Sequence, residues 1–438
     1  MNKQSRKFDV IGWMKDNAVM VLFSAISIFC VLLSGMRPSA IIYQLMARIA
    51  RNAFIIIALI IPIIAGMGIN FAITIGAMAA QIAIMLTLDW KIPGIWGFVV
   101  SCLLTIPLAG VFGFLIGSLL NKMKGQEMIG SMILGYFANG LYILLFLFIF
   151  GTLIPIANPD LTIVGGTGIR NTLDLGVSYG FKGALDNLWK LKFIPAVYWA
   201  CGLFAAAYLV LFLFGKKKLK SAVIVWGIAA VCALVFSVPA INGSGILGKF
   251  KLPDITGHFS MTQVPMATML LIALLCVMNL LIMRTRLGQK FRAVGQNRAV
   301  ANAAGINVNR TRNTAIILST ILAGLGQVVF MQNFGAMQTY SAHEQVGLYA
   351  GAAILVGGAT IARATNGQAI LGCVMFHLMF IVAPAAVSAI AGDSANASIE
   401  EFFRVFICYG VIALSIVLHG LKRNKSKEVE MKEAGAEA

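Results

Sequence analysis

Apolar runs of about twenty residues recur along the whole chain, separated by short polar segments. Twelve of them are predicted as membrane crossings, near residues 18–35, 50–66, 70–88, 96–119, 128–150, 196–214, 221–240, 264–284, 314–333, 346–362, 368–387 and 402–420. Each matches the length of α-helix needed to cross the hydrocarbon core of a bilayer. Backbone groups in lipid must pair internally, and the ten-residue alternating segments of a β-barrel are absent from the pattern. The expected fold class is therefore all-α, a polytopic membrane protein of about twelve transmembrane helices. Polar residues interrupt the third run and Gly357–Gly358 the tenth, so both are candidates for broken or re-entrant helices.

Composition agrees with lipid as the main solvent. Of 438 residues, 59% are hydrophobic and only 11% charged, where a soluble domain is nearer one quarter charged. The net charge of +18 raises nucleic acid as a partner, but the basic residues sit in the gaps between runs. With the N-terminus placed inside, the inner segments hold 23 Lys and Arg and the outer segments 10, as the positive-inside rule expects. Anionic membrane lipid accounts for that charge and nucleic acid is not expected. The reading divides the chain into a cytoplasmic N-tail at 1–17, a transmembrane domain at 18–420 and a cytoplasmic C-tail at 421–438. Arg48 and Arg51 are exceptions on the outer side, read as snorkelling from an amphipathic lead-in to the second helix.

The N-terminus has the charge order of a secretory signal, with Lys3, Arg6, Lys7 and Lys15 before an apolar run. That run is long for a signal and no small-x-small cleavage site follows, so it reads as an uncleaved first helix. The seven cysteines lie in apolar stretches without a C-x-x-C pair, and the four histidines show no ligand spacing. No metal site is expected. A long outer loop at 151–195 carries Pro155, Pro159, GGTG at 165–168, Asp160, Asp174 and Asp186. It reads either as a docking surface for a substrate-delivery protein or as a cover over a pore. The runs at 196–240 form an added hairpin around Lys216, Lys217, Lys218 and Lys220.

The basic segment 284–313, RTRLGQKFRAVGQNRAVANAAGINVNRTRN, is too long to be a simple turn. Asn297 is a good N-cap for a short Ala-rich helix over Arg298–Ala304, and Gly305 stands where a left-handed C-terminal cap belongs. The alanine surface suits a partner's groove, with Arg292 and Arg298 available to an acidic rim. The plainer alternative is a helix lying on lipid headgroups, for which it lacks a bulky apolar face.

This segment resembles the cytoplasmic coupling loop of ABC importer permeases of the family handling branched-chain amino acids, ribose and nucleosides. The matching residues are Ala293, Gly295, Asn297, Ala304, Gly305, Ile306 and Val308. GMGINFAITIGAM at 66–78 is similar to the family's first-half motif, through Gly68, Asn70, Phe71 and Gly76. MKGQEMIGSMILGYFANGL at 123–141 is similar to its fifth helix, and Glu127, Met132, Leu134, Tyr136 and Ala138 match the nucleoside and simple-sugar branch. The resemblance covers about 50–150 and 262–420. The late glycine-rich stretch keeps Gly357 and Gly358, but Arg363 and Asn366 depart from the family pattern.

The resemblance implies a multi-pass protein of the bacterial plasma (inner) membrane with both termini cytoplasmic. It implies a separate ATPase subunit that binds ATP and Mg, an extracytoplasmic substrate-binding protein or lipoprotein, and a second permease, either a copy of this chain or a sister. This chain has no G-x-x-x-x-G-K-[ST] phosphate loop, and no cofactor of its own is expected. The expected contact with the ATPase is Arg292, Gly295, Asn297, Arg298, Ala304, Gly305 and Ile306, with 121–127 as a smaller second contact.

Polar residues within the runs mark a path for the small-molecule substrate: Asn70, Thr74, Tyr136, Asn139, Gln327 and Asn333, with Phe71 beside them. Each is also explained by an interhelical hydrogen bond. Asp89, Glu127, Glu344 and Glu400 lie near ends or in loops, so no carboxylate is expected well inside a run. That inventory favours a neutral, hydrogen-bonding solute such as a nucleoside or sugar, and the resemblance at 123–141 implies a nucleoside first, with a simple sugar or a flavin-like solute as the alternatives. It weighs against an ion-coupled secondary carrier. A membrane-embedded enzyme would need clustered chemistry that the sequence lacks.

Overall fold

The computed structural model describes residues 18–123, 125–163, 166–213 and 263–391, with isolated helical residues within 226–231 and 402–417. Both predicted tails, most of the second arm of the hairpin at 221–240 and about half of the run at 402–420 lie outside the described residues. Among the described residues the protein is all-α and polytopic, with six helices long and apolar enough to cross a membrane and several shorter apolar ones.

Helix α1 spans Ala18–Leu33 and α2 spans Pro38–Ala58. The second helix begins well before the expected residue 50, because Pro38 sits at a first-turn position where its missing N–H costs nothing. Arg48 and Arg51 are thus inside the helix, not on a lead-in. A short continuation, α3 at Ile60–Ile64, follows a kink at Leu59. Pro62 has no N–H to give to the preceding turn, which accounts for the break.

Helix α4 spans Ile73–Asp89, α5 Gly94–Lys122 and α6 Glu127–Leu144, the last running on as a π-helical turn to Ile149. Strands β1 (Thr172–Asp174) and β2 (Lys190–Lys192) lie in the long loop that follows, before α7 at Phe193–Leu213. Strand β3 (Gln263–Pro265) leads into α8 (Met266–Arg284), α9 (Arg286–Gln296) and α10 (Arg298–Ala303). Helix α11 spans Val308–Phe334, strand β4 Ala336–Gln338, α12 Val346–Val356 and α13 Asn366–Ala391.

Helix α11 is the hub, packed against α2, α4 and α5, while α13 packs against α1, α2 and α12. Close approach of α11 to α4 uses glycine on both sides, since a Cβ on Gly324 would stand 2.9 Å from the Gly76 carbonyl. The long loop is folded onto the rest by two antiparallel ladders. Leu173 faces Met337 between β1 and β4, and Leu191 faces Val264 between β2 and β3. These ladders lie at the end of the helices opposite the basic segment.

The expected interruption of the tenth run is present. The polar residues of the third do not break it: α4 runs continuously from Ile73 to Asp89, and the irregular backbone lies ahead of it at 67–72. The tenth is only the eleven residues of α12, ended at Gly357. Eleven residues rise about 16 Å, roughly half a hydrocarbon core.

Candidate functional site

Two helices begin beside one another in the protein interior. Gly347, in the first turn of α12, lies so close to the Phe71 turn that a Cβ there would stand 2.7 Å from the Phe71 carbonyl. The Phe71 turn is held in place by Ser131 of α6, whose Oγ accepts from the Phe71 amide at 3.1 Å. Asn70 is buried and its Oδ1 accepts from the Ala72 amide at 3.1 Å, which closes a local turn ahead of α4. The N-termini of α4 and α12 therefore both open on the same space, with their positive dipole ends towards it, while the first amides of α4 are taken up by the carbonyls of Asn70, Phe71 and Ala72.

That space is a cavity of about 220 Å³ lined by Phe71, Thr74, Met132, Tyr136, Asn139, His343 and Glu344, among others. Asn139 lies twelve residues into α6, about 18 Å from the end that carries Glu127, so the cavity sits near mid-depth. Four residues expected on the substrate path come together here: Phe71, Thr74, Tyr136 and Asn139.

The other three lie elsewhere. Asn70 makes the turn just described. Gln327 is buried behind the cavity and donates from Nε2 to the Ala342 carbonyl at 3.2 Å, fastening the loop that precedes α12. Asn333 belongs to a polar cluster near the opposite end of the helices. Its Oδ1 accepts from Arg51 Nε at 2.5 Å and its Nδ2 donates to Asp186, which also accepts from Thr268. Arg51 in addition lies over the Phe334 ring, 5.3 Å from its centroid. A buried carboxylate needs donors, and Asn333 is spent as one of them.

His343 and Glu344 are the residues the sequence reading missed. Glu344 is in a loop, as read, but the loop enters the interior. Tyr142 of α6 donates to the Thr339 carbonyl at 2.9 Å, and Tyr340 donates to the Ile169 carbonyl at 2.6 Å. Burial raises the Tyr340 phenol above its ordinary range, which keeps it a donor. His343 then bridges Gln81 of α4 and Asn139 of α6 at 2.8 Å each. The inventory of acids at ends and in loops thus placed Glu344 wrongly in depth. One signal was available: the break at Gly357–Gly358 leaves an apolar run of only eleven residues, too short to span, so one of its ends lies inside the membrane.

At the basic end the segment 284–313 holds two helices instead of one. Thr285 caps α9, and Phe291 and Val294 are buried beneath it. Asn297 caps α10, its Oδ1 accepting from the amides of Ala299 at 3.0 Å and Val300 at 3.1 Å. Gly305 follows with φ +80 and no heavy atom within 4 Å of where a Cβ would be. Arg292, Ala304 and Gly305 are exposed and Ile306 is half-buried.

Gly295 and Arg298 face inward instead of outward. A Cβ on Gly295 would run into the Ile64 carbonyl, so this glycine lets α9 lie directly on the end of α3. Arg298 donates to the Gly66 carbonyl at 2.9 Å and pairs with Glu127 at 2.8 Å. Arg312, fully buried, pairs with the same Glu127 oxygen at 2.5 Å. The Arg298 guanidinium, read as free for a partner's acidic rim, is already committed within the chain. Beside α10 lies an open recess of about 670 Å³ bordered by Ala299, Asn302, Ile306 and Asn309.

The family model described as branched-chain amino acid transport system, permease component, matches residues 167–412. The chain belongs to this family. As a permease component it is a transport subunit and not an enzyme. It is similar to the nucleoside ABC transporter permease protein NupB of Lactococcus lactis subsp. cremoris, 38% identical over 87 residues, or 19% of this chain and 23% of the relative. The autoinducer 2 import system permease protein LsrC of Klebsiella pneumoniae is 37% identical over 99 residues, 22% of this chain and 28% of the relative. NupC of the same Lactococcus, also a nucleoside ABC transporter permease protein, is 30% identical over 97 residues, again 22% and 28%. The matched stretches thus span about a quarter of the length of each relative. No solved structure matches the permease.

Proposed function

We propose that this permease forms the pore of an ATP-driven importer for a small polar solute, a nucleoside in the first instance and a simple sugar as the alternative. The observation that carries the reading is the mid-depth cavity at the N-termini of α4 and α12. Helices that start within the membrane characteristically border a solute site, because the irregular backbone that leads into them is tolerated only where it is buried in protein or lines a cavity. Phe71 and Tyr136 offer aromatic faces to a planar base, and Thr74 and Asn139 offer hydrogen bonds. Two of the relatives are named for nucleosides and the third for autoinducer 2, which is why the solute is proposed at the level of a class.

In this reading the basic face is cytoplasmic and a separate ATPase docks there against α10, using the exposed surface of Ala299, Val300, Asn302 and Ala304. The ATPase binds ATP and Mg. The exposed face of α6, with Tyr136 at 68% and Phe137 at 65% exposure, meets a second permease that completes the cavity. An extracytoplasmic binding protein delivers the solute to the loop folded by the two ladders.

The mid-depth position of Glu344 removes one argument against an ion-coupled carrier, and membership of the permease family now supports the importer reading in its place. Reconstitution in vesicles with the ATPase, the binding protein and the second permease tests it. Uptake of labelled uridine or ribose that requires Mg-ATP is the expected result. Uptake driven by a proton or sodium gradient without the ATPase would refute it.

A further inference from the structure

The hydrogen bonds around His343 have a direction. A neutral imidazole carries one N–H, yet as placed both ring nitrogens of His343 face amide oxygens, of Gln81 and of Asn139. The Gln81 Nε2 has no partner as placed, and turning that amide over gives each His343 nitrogen a partner of the right kind. Gln81 then donates to His343 Nδ1, His343 Nε2–H donates to Asn139 Oδ1, and Asn139 Nδ2 donates to Glu344 Oε1 at 3.2 Å. The chain of donors starts in the buried middle of α4 and ends on a carboxylate that is exposed to the cavity.

Only one oxygen of Glu344 is used this way. Its Oε2 has no protein donor among the described residues, and Glu344 lines the cavity. The residue stands two positions before the first turn of α12. The Asn139 amide meets one carboxylate oxygen, and acceptor capacity remains on the other. A carboxylate with open lone pairs can accept from two neighbouring hydroxyls of one solute.

We infer that Glu344 is the specificity-determining residue of the cavity, reading a pair of adjacent hydroxyl groups on the solute while Gln81, His343 and Asn139 hold it in position. This rests on the importer reading above. The assignment predicts selection for solutes with a vicinal diol, such as a ribonucleoside or a furanose sugar, over the same solutes without it.

The test compares saturating ATP-driven uptake of uridine and of 2′,3′-dideoxyuridine by the complete reconstituted transporter, with wild-type and Glu344→Gln permease. Selection by the binding protein is common to both forms, so a change in the ratio belongs to the permease. The expected result is a loss of uridine uptake of about tenfold in the variant, the order of one charge-assisted hydrogen bond, with little change for the dideoxy compound. Equal slowing of both compounds, or no change in either, would overturn the assignment of Glu344 while leaving the importer reading in place. Wild-type vesicles that take up neither uridine nor ribose with ATP would overturn both. Glu344→Asp is the check on local folding, since it keeps the charge and should keep part of the preference for uridine.

Discussion

Arg298 Nη2 lies 2.8 Å from Glu127 Oε1, and the same guanidinium reaches the Gly66 carbonyl at 2.9 Å. One side chain of α10 thereby grips the roots of two of the elements that line the cavity. Glu127 opens α6, which carries Tyr136 and Asn139, and Gly66 opens the segment that leads to Phe71 and Thr74. Arg298→Gln removes the grip but leaves Glu127 paired with Arg312. Because Arg298 is about a third exposed, its loss should cost only about 1 kcal/mol of stability. Transport should nevertheless fall well below wild type while the ATPase stays bound, which a pull-down paired with an uptake assay would show. Normal uptake in this variant would refute a transmitting role.

Glu127→Ala is a harsher change. It leaves Arg312 buried on α11 without its carboxylate, and removing one member of a buried pair costs about 3–5 kcal/mol. Thermal unfolding in detergent should drop sharply for this variant and only slightly for Arg298→Gln. Similar losses in the two would mean that Arg312 has another partner.

Gly305 has a left-handed backbone and open space around it, so a substitution there is opposed by conformation alone. Gly305→Val should abolish or strongly reduce transport while insertion in the membrane is normal, at a local cost of about 1–2 kcal/mol. Gly305→Asn, which tolerates φ > 0 better, should retain much of the activity. If valine and asparagine behave alike in uptake assays, the cap geometry is not what matters.

Gly295 makes the opposite prediction, because space and not conformation is limiting. Even Gly295→Ala puts a methyl group against the Ile64 carbonyl, and overpacking of this kind costs about 1–3 kcal/mol. The melting temperature should fall further for Gly295→Ala than for Gly305→Ala measured alongside it, where only the left-handed backbone opposes the methyl group.

Asn333 separates the two polar regions of the molecule. Asn333→Ala takes a donor from the Asp186 carboxylate and a partner from Arg51, worth about 1–3 kcal/mol. Stability should decline with the preference among solutes unchanged. A shift in solute preference would return Asn333 to the substrate path.

Length and polarity along the chain were enough to read the helical fold, because lipid leaves a spanning segment almost no other choice. The interruption at Gly357 was legible from the glycine pair there, whereas the polar residues of the third run do not break α4. Depth was harder. Glu344 looked peripheral because a loop residue is ordinarily at the surface, and only the short α12 hints that this loop turns back halfway. Asn297 and Gly305 could be read locally, since a cap depends on residues within one turn. The destinations of Arg298, Gln327 and Asn333 could not, because each is bonded to a residue distant in sequence. Polarity within an apolar run announces that a partner exists but not which one.

The pairing of Glu127 with Arg312 joins residues 185 positions apart. At ordinary rates of translation the second partner leaves the ribosome roughly ten to forty seconds after the first. During that interval α6 has a carboxylate at its root and neither arginine yet made to receive it. The wall of the cavity that carries Tyr136 and Asn139 is therefore provisional until the later half of the chain has been synthesised and inserted, and the same ion cluster that joins the finished parts sets the order in which they are finished.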